Sequence, residues 1–214
     1  MPHFVSGEKS IQIDHYSPGG PGPAPAVLLL HGSGGPLRGI DPFARQAAGF
    51  GVHVFALHYF QQTGHTWVYP SQIEESFPAW LRTAEDAVTY ITQQPGVDRE
   101  RIGLLGFSLG SYLALSLATQ DRRIAAVAEL FGGLPTHFVK DVAQLPPVLI
   151  LHGGSDTTVP VAEAYQLEKL LKTHNIPYDI KIYPEQGHHF TGLVQLDAVR
   201  RVAGFFRQHF QKAA

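Results

Sequence analysis

The chain has 214 residues, 44% of them hydrophobic, no cysteine and a formal net charge of -2. That balance fits a single globular domain over 1–214 and excludes disulfide and thiolate chemistry. Near-neutral charge without a basic stripe excludes a nucleic-acid or anionic-membrane binder, and no apolar run is long enough to span a bilayer. Met1–Lys9 carries no leader pattern, so a cytoplasmic protein is expected.

Ser10–Tyr16 alternates apolar and polar residues, as a half-exposed edge strand does, and the Pro/Gly-rich stretch 17–25 reads as a loop. Ala26–Leu30 is an apolar run that leads into His31-Gly32-Ser33-Gly34-Gly35. Val52–Leu57 is a second such run. An irregular stretch then extends from His58 to Pro78, rich in aromatics. Trp80, Ala84, Ala87, Val88 and Ile91 form a stripe of helical period. Ile102–Leu105 is a buried strand, followed by Gly106-Phe107-Ser108-Leu109-Gly110 and a helix marked by Leu109, Leu113, Ala114 and Leu117. Ala125–Leu130 and Val148–Leu151 are further strands, and the stretch between them is too short for a large cap. Leu167, Leu170 and Leu171 mark a helix, Ile180–Tyr183 a last strand, and Leu196 to Phe210 a last helical stripe. Apolar runs without alternation are strands covered on both faces. Their alternation with helices predicts a three-layer α/β/α sandwich with a mostly parallel sheet and no large cap domain.

Reactive groups in such sheets gather at the carboxyl ends of the strands. The Gly106–Gly110 segment is a G-x-S-x-G pattern between a strand and a helix, which nominates Ser108 as nucleophile on a tight turn. The glycine-rich loop after Leu30 nominates the Ser33 amide, with Gly34 as its rival, to share an oxyanion with the Leu109 amide. His31 is expected to brace that loop. The loop lacks the third glycine of a dinucleotide fingerprint and the Lys-Ser/Thr pair of a phosphate loop. Asp156, just past Val148–Leu151, is placed to orient a histidine, with helix capping as the alternative role. His188 and His189 follow the last strand, and either suits proton exchange with an unperturbed pKa of ~6.5. The order Ser108, Asp156, histidine matches the α/β-hydrolase plan. Tyr59, Phe60 and Trp67 are expected to line the substrate pocket. The histidines show no established metal-ligand spacing, and neither metal nor cofactor is expected.

The segments HGSGG at 31–35, GFSLG at 106–110, HGGSDTTVP at 152–160 and YPEQGHHF at 183–190 resemble the dienelactone hydrolase family over nearly the whole chain. In that family the catalytic histidine follows a glycine and lies two before a phenylalanine, which assigns the role to His188. The resemblance implies an esterase or lactonase acting on a small molecule. Two departures stand out. Ser108 and His31 occupy positions where the founding members carry a cysteine and a glutamate. Thr191, Gly192 and Leu193 stand where those members carry a carboxylate-gripping arginine. Both point away from dienelactone itself, toward a serine esterase.

Overall fold

The computed structural model describes residues 2–36 and 40–211. Its strands are β1 (His3–Ser6), β2 (Lys9–Tyr16), β3 (Ala24–Leu30), β4 (His53–Leu57), β5 (Val97–Phe107), β6 (Ile124–Leu130), β7 (Val148–Gly153) and β8 (Tyr178–Tyr183). The helices are α1 (Ile40–Gly49), α2 (Pro70–Thr92), α3 (Leu109–Ala118), α4 (Ala162–Thr173) and α5 (Gly192–His209). One sheet runs in the order β1-β2-β4-β3-β5-β6-β7-β8. β1 and β2 are antiparallel to their neighbours, and the strands from β4 to β8 are parallel.

Handedness explains the layers. The β3-to-β4 crossover and the β4-to-β5 crossover run in opposite directions along the sheet, so right-handed connections put α1 and α2 on opposite faces. α3 and α4 follow the direction of α2 and join its face. There Trp80, Ala84, Leu113, Leu117, Leu167 and Leu171 pack on Ile102, Leu104, Val127 and Ile150. On the other face Ala198, Phe205, Phe206 and Phe210 pack on Val27, Ala126, Ala128, Leu149 and Leu151. The strand order reverses between β3 and β5, which opens a crevice above their carboxyl ends.

Three elements differ from the sequence expectation. β1 adds a short strand outside β2. α1 covers part of the second face through little more than Ala44 and Ala48, too thin a stripe to register as periodicity. α2 begins at Pro70, so the irregular stretch ends at Tyr69, nine residues earlier than expected. Pro70 opens the helix, and the Gln72 side chain accepts the Tyr69 N–H to cap it. Pro78 lies inside the helix, at a cost of about 3 kcal/mol. Burial of Phe77 and Trp80, the latter tied to Thr63 Oγ1 by its indole N–H at 2.8 Å, offsets that cost. Between β6 and β7 a 3-10 turn over Thr136–Gln144 replaces any cap.

Candidate active site

Ser108 stands between β5 and α3 with φ 52° and ψ -119°, backbone angles that cost a non-glycine residue about 1–3 kcal/mol. Its N–H donates to the Leu130 carbonyl at 2.8 Å, which anchors the turn to β6. The flanking glycines are steric necessities. A Cβ on Gly106 would lie 2.5 Å from the Gly110 oxygen and the Ser111 Cα. One on Gly32 would lie 3.3 Å from the Ser108 Cβ, which puts the loop after β3 directly against the serine.

Asp156 and His188 arrive on loops that are pinned together. Gly154 N–H donates to the Tyr183 carbonyl at 2.8 Å, Ser155 N–H to the Gln186 carbonyl at 3.0 Å, and Ser155 Oγ to the Pro184 carbonyl at 2.8 Å. A Cβ on Gly153 would fall 2.3 Å from the carbonyl oxygens of Gln186 and Gly187. Above this seam, Asp156 Oδ1 accepts the amides of Thr158 and Val159 at 2.8 and 2.9 Å. Its Oδ2 faces His188 Nδ1 at 2.8 Å and His152 Nε2 at 3.4 Å. His152 has a closer partner, donating through Nε2 to the Val159 carbonyl at 2.9 Å. Burial pushes the Asp156 carboxyl upward, but hydrogen bonds from His188 and the two amides outweigh it and hold the pKa below the ordinary value.

An ionised carboxylate only accepts, so His188 Nδ1 carries the proton and donates to Asp156. Nε2 is then the acceptor for the Ser108 hydroxyl, 2.9 Å away. The expected nucleophile, base and acid thus lie on one hydrogen-bonded line. His189 is exposed, and its ring meets His188 edge-on without joining that line.

The loop after β3 has its carbonyls tied back. The His31 carbonyl accepts the Tyr59 hydroxyl at 2.7 Å. The Gly32 carbonyl accepts Gly35 N–H at 3.1 Å and His31 Nδ1–H at 2.8 Å, and the Ser33 carbonyl accepts Val68 N–H at 3.0 Å. Across a trans peptide the next N–H points the opposite way, so these bonds fix the direction of the Ser33 and Gly34 amides. The Leu109 amide occupies the first helical position of α3, where no intrahelical acceptor exists. His31 is 1% exposed and stacked on Tyr59 at 4.1 Å. Burial lowers its pKa to about 4 against the opposing pull of the Gly32 carbonyl, so it is a neutral brace.

Tyr59 and Phe60 do not line a pocket as expected. They are 0% and 2% exposed and packed against Trp80 and His31. Burial in the core wins because α2 covers the loop with Trp80, and the tyrosine hydroxyl finds its partner inside. Trp67 remains outside, 49% exposed, with its ring edge-on to Tyr69 at 4.2 Å. Two neighbours of the line were not anticipated. Phe131, at φ 61°, sets its ring 5.3 Å from His188. Glu129, the lone charged residue in the apolar run Ala125–Leu130, is wholly buried; a charge in such a run was the available signal.

The sequence profile of the dienelactone hydrolase family matches residues 11–200. The chain belongs to the dienelactone hydrolase family. Among curated relatives, mouse mitochondrial acyl-coenzyme A thioesterase 2 is 31% identical over 180 residues, which cover 80% of this chain and 38% of the mouse protein. The chain thus spans little more than a third of that relative's length. A dienelactone hydrolase-like promiscuous phosphotriesterase from metagenomic libraries has the same fold, with a TM-score of 0.85, 19% identity and 98% and 97% of the two chains covered. Pyrococcus horikoshii acylaminoacyl peptidase shares it over 99% of this chain and 41% of its own, with a TM-score of 0.84 and 16% identity. Among the described residues of this family member, no helix is long and apolar enough to cross a membrane.

Proposed function

We propose that this family member is a serine hydrolase that cleaves carboxylic esters or lactones of small molecules, as a single α/β-hydrolase domain in a cytoplasmic setting. The observation that carries this reading is the continuous line Ser108 Oγ–His188 Nε2, 2.9 Å, and His188 Nδ1–Asp156 Oδ2, 2.8 Å. Ser108 attacks the carbonyl carbon while His188 takes its proton, and Asp156 stabilises the imidazolium that forms. The amides of Ser33 and Leu109 receive the developing oxyanion, each worth about 3 kcal/mol in the transition state. His188 then protonates the departing alcohol. Water repeats the attack on the acyl-Ser108 ester, releases the acid and returns the proton to the serine. Trp67 walls the substrate's apolar part. None of these steps calls for a cofactor.

A second reading, thioester cleavage on the same three residues, is favoured by the 31% identity to the mouse thioesterase. A fluorophosphonate probe and a panel of nitrophenyl esters, lactones and acyl thioesters test both. Single labelling on Ser108 with ester turnover supports the esterase. A kcat/KM that ranks thioesters far above oxygen esters replaces it with the second reading. Absence of labelling and turnover defeats both.

A further inference from the structure

Glu129 lies on β6, in register with Gly106 of the nucleophile turn, and none of its surface reaches solvent. Its Oε2 accepts the Gly132 N–H at 2.9 Å. Oε1 is buried without a partner. A buried carboxylate with a bare oxygen is strongly disfavoured, so the group stands as a neutral acid. In agreement, burial raises its pKa to about 8 against the pull of Gly132 and Ser111. The ionisable groups facing this corner are Tyr112 on α3, Glu163 on α4 and, reached through Tyr112, Asp156 with His188 beyond it. Tyr112, Glu163 and Asp156 offer no cation to compensate a charge on Glu129.

The turn that Glu129 closes touches both halves of the reactive line. The Leu130 carbonyl accepts the Ser108 N–H at 2.8 Å and the Ser111 O–H at 2.9 Å. Leu130 N–H returns a bond to Ser111 Oγ at 3.0 Å. Next along the turn, Phe131 is held at φ 61° with its N–H on the Leu151 carbonyl at 3.1 Å. Its ring packs 5.3 Å from His188 and 4.4 Å from Phe190. The same four residues therefore support the nucleophile from one side and the base from the other.

We propose that Glu129 is a positioning residue for acyl transfer, which clamps the Leu130–Gly132 turn and thereby sets the separation of the Ser108 and His188 side chains. It acts through Leu130 and Phe131 and touches no reacting atom. The proposal rests on the roles given to Ser108 and His188 above.

Two substitutions test it. Glu129→Gln keeps the shape, the acceptor for Gly132 and the neutrality; Glu129→Leu keeps the volume and removes the acceptor. The Gln variant is expected to hold kcat on a nitrophenyl ester within about threefold of wild type. The Leu variant is expected to lose about 10–100-fold in kcat and in fluorophosphonate labelling rate, with KM little changed, as a misplaced reactive group does. The His188 ring resonances in long-range 1H–15N spectra report the Phe131 ring directly. They should move in the Leu variant and stay in the Gln variant. A Leu variant with wild-type kcat and wild-type His188 resonances overturns the proposal, as does a Gln variant as impaired as the Leu variant. Should the Leu variant fail to fold, Glu129→Ala, which removes the acceptor without adding bulk, takes its place: a lower kcat with shifted His188 resonances supports the clamp, and wild-type values of both overturn it. If wild type neither labels nor turns over, the esterase reading fails by itself, and the His188 resonances of the variants still decide for or against the clamp.

Discussion

A Cβ on Gly110 would stand 2.1 Å from the carbonyl oxygen of Leu30. The helix that follows the serine is pressed, backbone to backbone, on the end of the strand that feeds the oxyanion loop. Only hydrogen fits between them. Gly110→Ala is expected to cost several kcal/mol and to lower the melting temperature by about 10 °C or more. Gly34→Ala, in the neighbouring loop, meets no heavy atom within 4 Å and should melt as wild type does. Thermal unfolding of the pair checks the contrast.

The left-handed backbone of Ser108 separates function from stability at one position. Ser108→Ala is expected to reduce turnover on the order of a millionfold while keeping the strained angles. Ser108→Gly should be equally inactive but more stable than the alanine variant by about 1 kcal/mol, because glycine adopts these angles freely. Denaturant midpoints of the two inactive proteins make the comparison.

Adjacent histidines offer a sharp control. His188→Ala should nearly abolish ester turnover, and His189→Ala, exposed and off the hydrogen-bonded line, should leave it within a few-fold. Asp156→Asn should cost on the order of a thousandfold or more, since the wrong histidine tautomer is then favoured. Steady-state kinetics on one ester ranks all three, and a His189 variant as damaged as the His188 variant counts against the assignment.

Two buried groups tilt stability in opposite directions with pH. His31 is neutral in the fold with a pKa of about 4, and the unfolded chain takes up that proton below ~6.5, so stability falls as pH drops through this window. Glu129 binds its proton more tightly in the fold, up to about 8, so stability falls as pH rises from ~4.5 through that value. The stability difference between Glu129→Gln and wild type should therefore shift in favour of the variant with rising pH, by about a few kcal/mol, and level off above 8. Urea midpoints across this range measure it; a difference independent of pH would contradict it.

Tyr59→Phe removes the sole donor to the His31 carbonyl among the described residues and leaves a buried acceptor bare. A stability loss of about 1–3 kcal/mol is expected. The oxyanion loop loses one tether, so kcat should fall several-fold with KM little changed. Stopped-flow acylation rates beside thermal melts read both effects.

The parallel strands and the motifs at their ends were legible in the residues, because a strand buried on both faces needs an apolar run and a tight turn needs glycine. The segments that escaped depend on partners distant in the chain. Pro78 breaks the apparent period of α2, yet Trp80 and Phe77 hold the helix through it. Tyr59 and Phe60 look like pocket walls because they follow a strand, but Trp80, twenty residues on, covers them. Glu129 was visible as an oddity in an apolar strand, while its acceptor role toward Gly132 exists only once the turn closes.

The seam between the Asp156 and His188 loops divides the machinery into two rigid parts, one carrying acid and base together and the other carrying the serine on β5. Thermal agitation that slides β7 and β8 as a pair leaves the imidazole seated on its carboxylate. The joint that this seam does not span is the gap to the hydroxyl, which is therefore expected to open first. Warming should therefore silence such a catalyst while its charged couple is still assembled, and cooling should restore the contact without any refolding.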